Sequence, residues 1–229
     1  VSVGTGDTLC NVGIYDIGRQ SMSSLWRGQF GRKYTDRNPT CAAAVDTHYR
    51  KTFGITRTAL NEQFLQRVPL DARILEVGCN VGAQLDVLRE MGYTNLYGIE
   101  PMEYAVDKAA NPNITQGYAN AMQFSDDAFD LVFTSGVLIH INPAEIHKAM
   151  REIVRVSKRW VWGWEYYSDE YKAVMYRGED DALWKADFAN IYASLFSELA
   201  LMQEVQVPYK EGEDIDTMYM LEQGGPYDE

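Results

Sequence analysis

The apolar positions along the chain change their period several times, and each change predicts an element. Trp26, Phe30 and Tyr34 recur at i, i+4 and i+8, which predicts a helix capped by Ser23 or Ser24 and weakened by Gly28 and Gly31. Asp36-Arg37-Asn38-Pro39 then reads as a turn. Residues 41–68 have helical patterning broken near Phe53-Gly54, so two helices are expected. From there short apolar runs alternate with helical stripes. Strands are predicted from Arg73, over 95–100, near Ile114, over 129–136 and over the aromatic run 159–167. Between them, Leu85, Leu88 and Met91 share one helical face, and Pro101 at the first helical position predicts a helix through Ala110. Asn142, Pro143 and Glu145 form a variant capping box before the stripe Ile146, Met150, Ile153 and Val156. A polar loop with the charge run Glu179-Asp180-Asp181 precedes a helix predicted over 183–199. Strands over 201–208 and 214–222 with a hairpin-like connection complete the pattern. Strands alternating with helices give an α/β fold: a mixed sheet with helices on both faces.

Three segments follow. Residues 1–20 lack any sustained period and read as an extended or poorly ordered arm, 21–68 as a helical cap, and 69–229 as a core long enough for a doubly wound sheet. The aromatic stripe of the cap has two readings, core packing or a lid over a ligand.

Composition narrows the partners. Twenty-one Lys and Arg against 33 Asp and Glu give a net charge of −12, which repels phosphate backbones and anionic membranes, so the expected partner is a small molecule. Cys10, Cys41 and Cys79 are widely spaced, with no C-x-x-C pair and no His at ligand spacing, so neither a disulfide framework nor a metal site is expected. They read as reduced thiols of a soluble cytoplasmic protein, for no stretch is long and apolar enough for a membrane span. The oligomeric state is not encoded in these patterns.

The candidate chemistry starts at Glu76-Val-Gly78-Cys-Asn80-Val-Gly82, a strand end passing through a tight turn into a helix. Gly78 is free to take angles forbidden to other residues, and Gly82 lets a ligand or a strand approach closely. A dinucleotide fingerprint counted from Gly78 would need glycines where Asn80 and Ala83 stand, which disfavours a nicotinamide oxidoreductase. Glu100 ends the next strand, where a carboxylate can accept both hydroxyls of a ribose.

This ordered pair of motifs resembles class I S-adenosylmethionine (SAM) methyltransferases. The resemblance implies a Rossmann-like sheet of seven strands with a closing antiparallel pair, and SAM as cofactor, leaving as S-adenosylhomocysteine. The implied cofactor contacts are Glu76, Gly78, Asn80 and Gly82 at the first turn, Glu100, Pro101 and Met102 after the second strand, and Ser135 after the fourth. Tyr118, Ala119 and Asn120 would border the adenine; the family usually has Asp where this chain has Tyr118, whose phenol can accept the same bond or offer its ring. Tyr34 or Arg37 would reach the methionine carboxylate if the cap folds over.

A narrower likeness rests on residues 26–38, 132–143, 165–167 and 176–178, which resemble in order the methylases associated with pseudaminic acid biosynthesis. It implies methyl transfer to an O or N atom of a small polar metabolite, such as a nonulosonic sugar or its nucleotide-activated form. His140, Glu165 and Tyr166 are the candidate catalytic residues, since both their segments end at the carboxyl edge of the sheet. His140 serves as base or packs under the following helix, and Glu165 orients the imidazole or the sugar. His48 and His147 read as surface imidazoles. A non-enzymatic SAM-binding module and a methyltransferase for an unrelated natural product are the alternatives.

Overall fold

The computed structural model describes residues 22–224, and for residues 22–24 and 181 the backbone alone. The arm predicted over residues 1–20 lies outside the described residues.

Five strands build the parallel part of the sheet: β1 (Arg73–Val77), β2 (Asn95–Glu100), β3 (Ile114–Gln116), β4 (Phe129–Ser135) and β5 (Ser157–Tyr166). Two later strands, β8 (Leu199–Pro208) and β9 (Ile215–Gln223), close it antiparallel, giving the order β3-β2-β1-β4-β5-β9-β8. A separate hairpin, β6 (Lys172–Tyr176) and β7 (Glu179–Lys185), stands outside this sheet.

Alternation along the strands sorts the two cores. Ile74, Leu131, Phe133, Trp160, Trp162, Trp164, Met218 and Met220 face α3 (Ala42–Phe53), α4 (Arg57–Phe64) and α5 (Ala83–Glu90). Their neighbours Leu75, Val77, Val132, Val161, Tyr219 and Leu221 face α7 (Pro143–Val156) and α8 (Phe188–Leu195). The Trp-x-Trp-x-Trp spacing of β5 therefore puts three indoles on one face, which is why that strand is so aromatic.

Strand order reverses between β1 and β4, the place where an open α/β sheet leaves a crevice at its carboxyl edge. Over that edge lie α1 (Met22–Arg27) and α2 (Gln29–Arg37), one predicted helix that breaks at Gly28, whose backbone is extended. Gly31 permits the approach of α2, because a Cβ there would lie 1.9 Å from the Met102 methyl and from the Trp26 carbonyl.

Three predicted elements differ. Pro101 does not open a helix: the Met102 N–H donates to the Glu100 carboxylate at 3.0 Å, holding Met102 extended, so α6 (Glu103–Val106) starts later and is short. The run from Glu179 is strand rather than loop, because Arg177 and Gly178 take positive φ (54° and 85°) and turn the chain tightly into a hairpin. The helix expected over 183–199 is consequently reduced to α8. Asn142 caps α7 as expected, accepting from the Ala144 N–H at 2.9 Å, but Glu145 turns instead to the Asn120 side-chain amide at 2.8 Å.

Candidate active site

The turn after β1 gathers three left-handed residues at alternate positions, Gly78 (φ 74°), Asn80 (φ 50°) and Gly82 (φ 85°). Asn is among the few side chains that tolerate this region, which explains why it can stand between the glycines. Each glycine serves packing within the protein. A Cβ on Gly78 would press on Val137 at 2.8 Å, and one on Gly82 on Ile114 at 2.6 Å, so strand β3 is what approaches Gly82.

Glu100 is partly buried, and its carboxylate accepts from the Asn80 N–H at 2.9 Å as well as from Met102. Burial raises its pKa, while these two amides pull it back. Bonded in this way, the carboxylate is oriented before any ligand arrives. Glu76 is 2% exposed, with Oε2 unpartnered, and Asn80 Oδ1 in the turn that follows is likewise a buried acceptor without a donor. Burial drives the Glu76 pKa well up, against the positive charge of Arg57. Orphan acceptors of this kind carry a desolvation penalty that a ligand's ammonium or hydroxyl donors would relieve.

Met102 is buried, its sulfur 3.9 Å from the Thr35 hydroxyl of α2, and the Pro101 carbonyl accepts from Gln116 at 3.1 Å. Tyr118 and Ala119 are part-buried in the turn after β3, which the Gly117 N–H ties to the Glu100 carbonyl at 3.1 Å. The Asn120 amide, by contrast, is committed to α7 through Glu145.

After β4, His140 ends a 3₁₀ turn (Leu138–His140) and sits among rings: Trp26 at 4.5 Å, Tyr176 at 5.2 Å and Tyr34 at 6.3 Å between centroids. Its Nδ1 lies 2.8 Å from the Ala182 carbonyl of β7, and as a carbonyl only accepts, Nδ1 carries the proton and Nε2 the lone pair. Desolvation lowers its pKa to about 4. Tyr34 is pushed up chiefly by burial, and exposed Arg37 lies over the Tyr34 ring at 5.1 Å.

Glu165 does not orient the imidazole. Its carboxylate, 1% exposed, accepts from the Val137 N–H at 3.0 Å and the Ile139 N–H at 3.4 Å, so it shapes the loop after β4. Burial raises its pKa to about 7. Tyr166, raised to about 12 mainly by burial, stands at the end of β5 near Asp216, Tyr209 and Tyr176.

Sequence reading missed Arg57. This residue is fully buried at the first position of α4, and donates to Asn61 Oδ1 (2.7 Å), Tyr49 Oη (2.8 Å) and Ser135 Oγ (3.1 Å). The available signal was its position, since a cation in a helix's first turn opposes the macrodipole. Tyr176 was missed as a wall of the site because its hairpin was read as loop.

Comparison with known proteins agrees with this geometry. Residues 75–160 match the family model described as a methyltransferase domain. The match runs from β1 into β5 and is a similarity of that segment alone. The acidic, donor-seeking turn fits S-adenosylmethionine, the ligand bound in one of the similar solved structures. Similar solved structures include the magnesium protoporphyrin IX methyltransferase of Synechocystis PCC 6803 with bound SAM, at 10% identity over 91% of this chain and 100% of that one, TM-score 0.65. A SAM-dependent methyltransferase of Methanosarcina mazei shares 14% identity over 70% and 96%, TM-score 0.59. The cyclase SpnF shares 16% over 72% and 81%, TM-score 0.58. At these identities the likeness shows the fold, a class I methyltransferase sheet, and the cyclase illustrates that one fold hosts several chemistries. No curated protein sequence matches the chain. Among the described residues no helix is long and apolar enough to cross a membrane.

Proposed function

We propose that the protein transfers the methyl group of SAM to an O or N atom of a small polar metabolite, a nonulosonic sugar or its nucleotide-activated form. The observation that carries this reading is a convergence. The segments resembling pseudaminic acid-associated methylases meet around His140, with Trp26 and Tyr34 from one, His140 from the second and Tyr176 from the last. Ring faces suit the C–H faces of a sugar, and phenols suit its hydroxyls. The net charge of −12 supports a small acceptor over a nucleic acid.

In this reading Gly78, Asn80 and Gly82 shape the bed for the methionine and ribose, Glu100 takes the ribose diol, and Glu76 takes the ammonium. Met102, Tyr118 and Ala119 border the adenine. SAM supplies an electrophilic methyl carbon. The protein's share is to align the acceptor with it and exclude water, which the ring of Trp26, Phe30, Tyr34 and Tyr176 supports. His140 Nε2 receives the hydroxyl proton of the acceptor. Ala182 fixes its tautomer, and Glu165 acts one step removed, holding the loop that carries it.

The test is incubation of the protein with methyl-labelled SAM and metabolite extracts containing acidic sugars, repeated with His140→Asn. Label should enter an acidic sugar, and the variant should lower turnover by roughly 10²–10⁴. The depressed pKa of His140 favours one second reading, in which the acceptor is an amine and alignment alone suffices. Unchanged turnover in His140→Asn selects that reading.

A further inference from the structure

Among the described residues, Arg57 is a cation without a carboxylate partner. Its guanidinium is fully buried, stacks over Trp162 (5.0 Å), Trp164 (5.6 Å) and Tyr49 (5.5 Å), and donates through Nε and Nη1 to three neutral oxygens. Taking a guanidinium out of water without a counter-ion is costly, and buried charges are normally paired. Arg57 acts electrostatically on Glu76, and that carboxyl has an oxygen of its own without a partner. One buried guanidinium without a carboxylate partner and one buried carboxyl with an unpartnered oxygen flank the carboxyl ends of β4 and β1. They are complementary to the two ends of an amino-acid zwitterion.

We propose that Arg57, held in place by Tyr49, Asn61 and Ser135, is the receptor for the methionine carboxylate of SAM, its free Nη2 edge taking the carboxylate while Glu76 takes the ammonium. This replaces the expectation that Tyr34 or Arg37 reads the carboxylate, and it rests on the SAM-binding reading above. Arg37 is a poorer candidate, being exposed and lying over the Tyr34 ring. A planar fork braced by three hydrogen bonds and two indoles is already oriented, so little freedom is lost when the ligand binds.

Calorimetry with three ligands tests it: S-adenosylhomocysteine, its decarboxylated analogue, and 5′-methylthioadenosine, which lacks the whole amino-acid end. The wild type should prefer S-adenosylhomocysteine over the decarboxylated analogue by roughly 10- to 100-fold. Arg57→Met should bind those two equally and keep wild-type affinity for methylthioadenosine. A wild type that does not distinguish the pair overturns the proposal and leaves Arg57 to an acidic acceptor or to the core. An Arg57→Met protein that keeps the preference overturns it too, the carboxylate being read elsewhere. If Arg57→Met does not fold, Arg57→Lys, which keeps the charge and loses the fork, should narrow the preference; an unchanged preference overturns the assignment. A wild type that binds none of the three ligands refutes SAM binding itself, a failure distinct from the others.

Discussion

At the scale of single residues, Glu100 has two tasks that substitution separates. Its carboxylate accepts from the Asn80 and Met102 amides, and in the proposed site its remaining lone pairs take the ribose diol. Glu100→Ala removes both and should weaken SAM binding by roughly 1.5–3 kcal/mol, read by calorimetry. Glu100→Gln keeps an acceptor for one amide and should fall between. For His140 the pH dependence has a definite sign. Because its folded pKa of about 4 lies below the free value of 6.5, the unfolded chain binds more protons between those pH values. Stability from this site is therefore full above pH 6.5 and lost as pH falls towards 4, by up to about 3 kcal/mol. Urea melts should show the wild type losing ground against His140→Gln as pH drops through that window. A constant difference would mean the imidazole titrates normally.

At the scale of elements, the site depends on two pieces that flank the sheet without belonging to it. The first is the α1–α2 segment, anchored on α6 by Asp36, which accepts from the Tyr104 hydroxyl at 2.8 Å and pairs with Lys108 at 2.6 Å. These exposed contacts set orientation more than stability, while buried Met102 and part-buried Trp26 and Tyr34 supply the packing. Deleting residues 1–38 should cost SAM affinity as well as turnover; full affinity in the truncated protein would reduce the aromatic stripe to ordinary packing. The second piece is the β6–β7 hairpin. Gly178 at φ 85° has nothing within 4 Å of a would-be Cβ, so Gly178→Ala strains only the backbone, by about 1–2 kcal/mol. Because that hairpin carries Tyr176 and the Ala182 carbonyl, the variant should lower turnover while leaving SAM affinity intact. Parallel loss of both would mean the hairpin serves the cofactor as well.

For the whole molecule, what was legible in the sequence was what local pattern controls. The order of strands and helices, the closing antiparallel pair and the break at Gly54 follow from periodicity and turn chemistry. The turn at Gly78 and the acid at Glu100 were found by type and spacing. What escaped was set by contacts distant in the chain. Arg57 meets Ser135 across 78 positions, and His140 meets Ala182 across 42, so no local window contains either pair. Glu165 looked catalytic from its place at a strand end, yet its lone pairs go to the loop at Val137 and Ile139. The same long-range character makes a further measurement informative. A ligand touching the turn after β1, the end of β2 and the cap would tie the cap to a sheet edge that α2 otherwise meets through side chains such as Thr35 on Met102 and Asp36 on Tyr104. At a hundredfold excess over Kd, S-adenosylhomocysteine should stabilise the fold by about 2.7 kcal/mol, a Tm rise on the order of 5–10 °C. Hydrogen exchange should show where: amides of α1, α2 and residues 78–82 should gain protection, and those of the edge strand β8, at the far side of the sheet, should not. Protection confined to the core with none on α1–α2 would mean the cap does not close over the cofactor, and the cap would then belong to the acceptor alone.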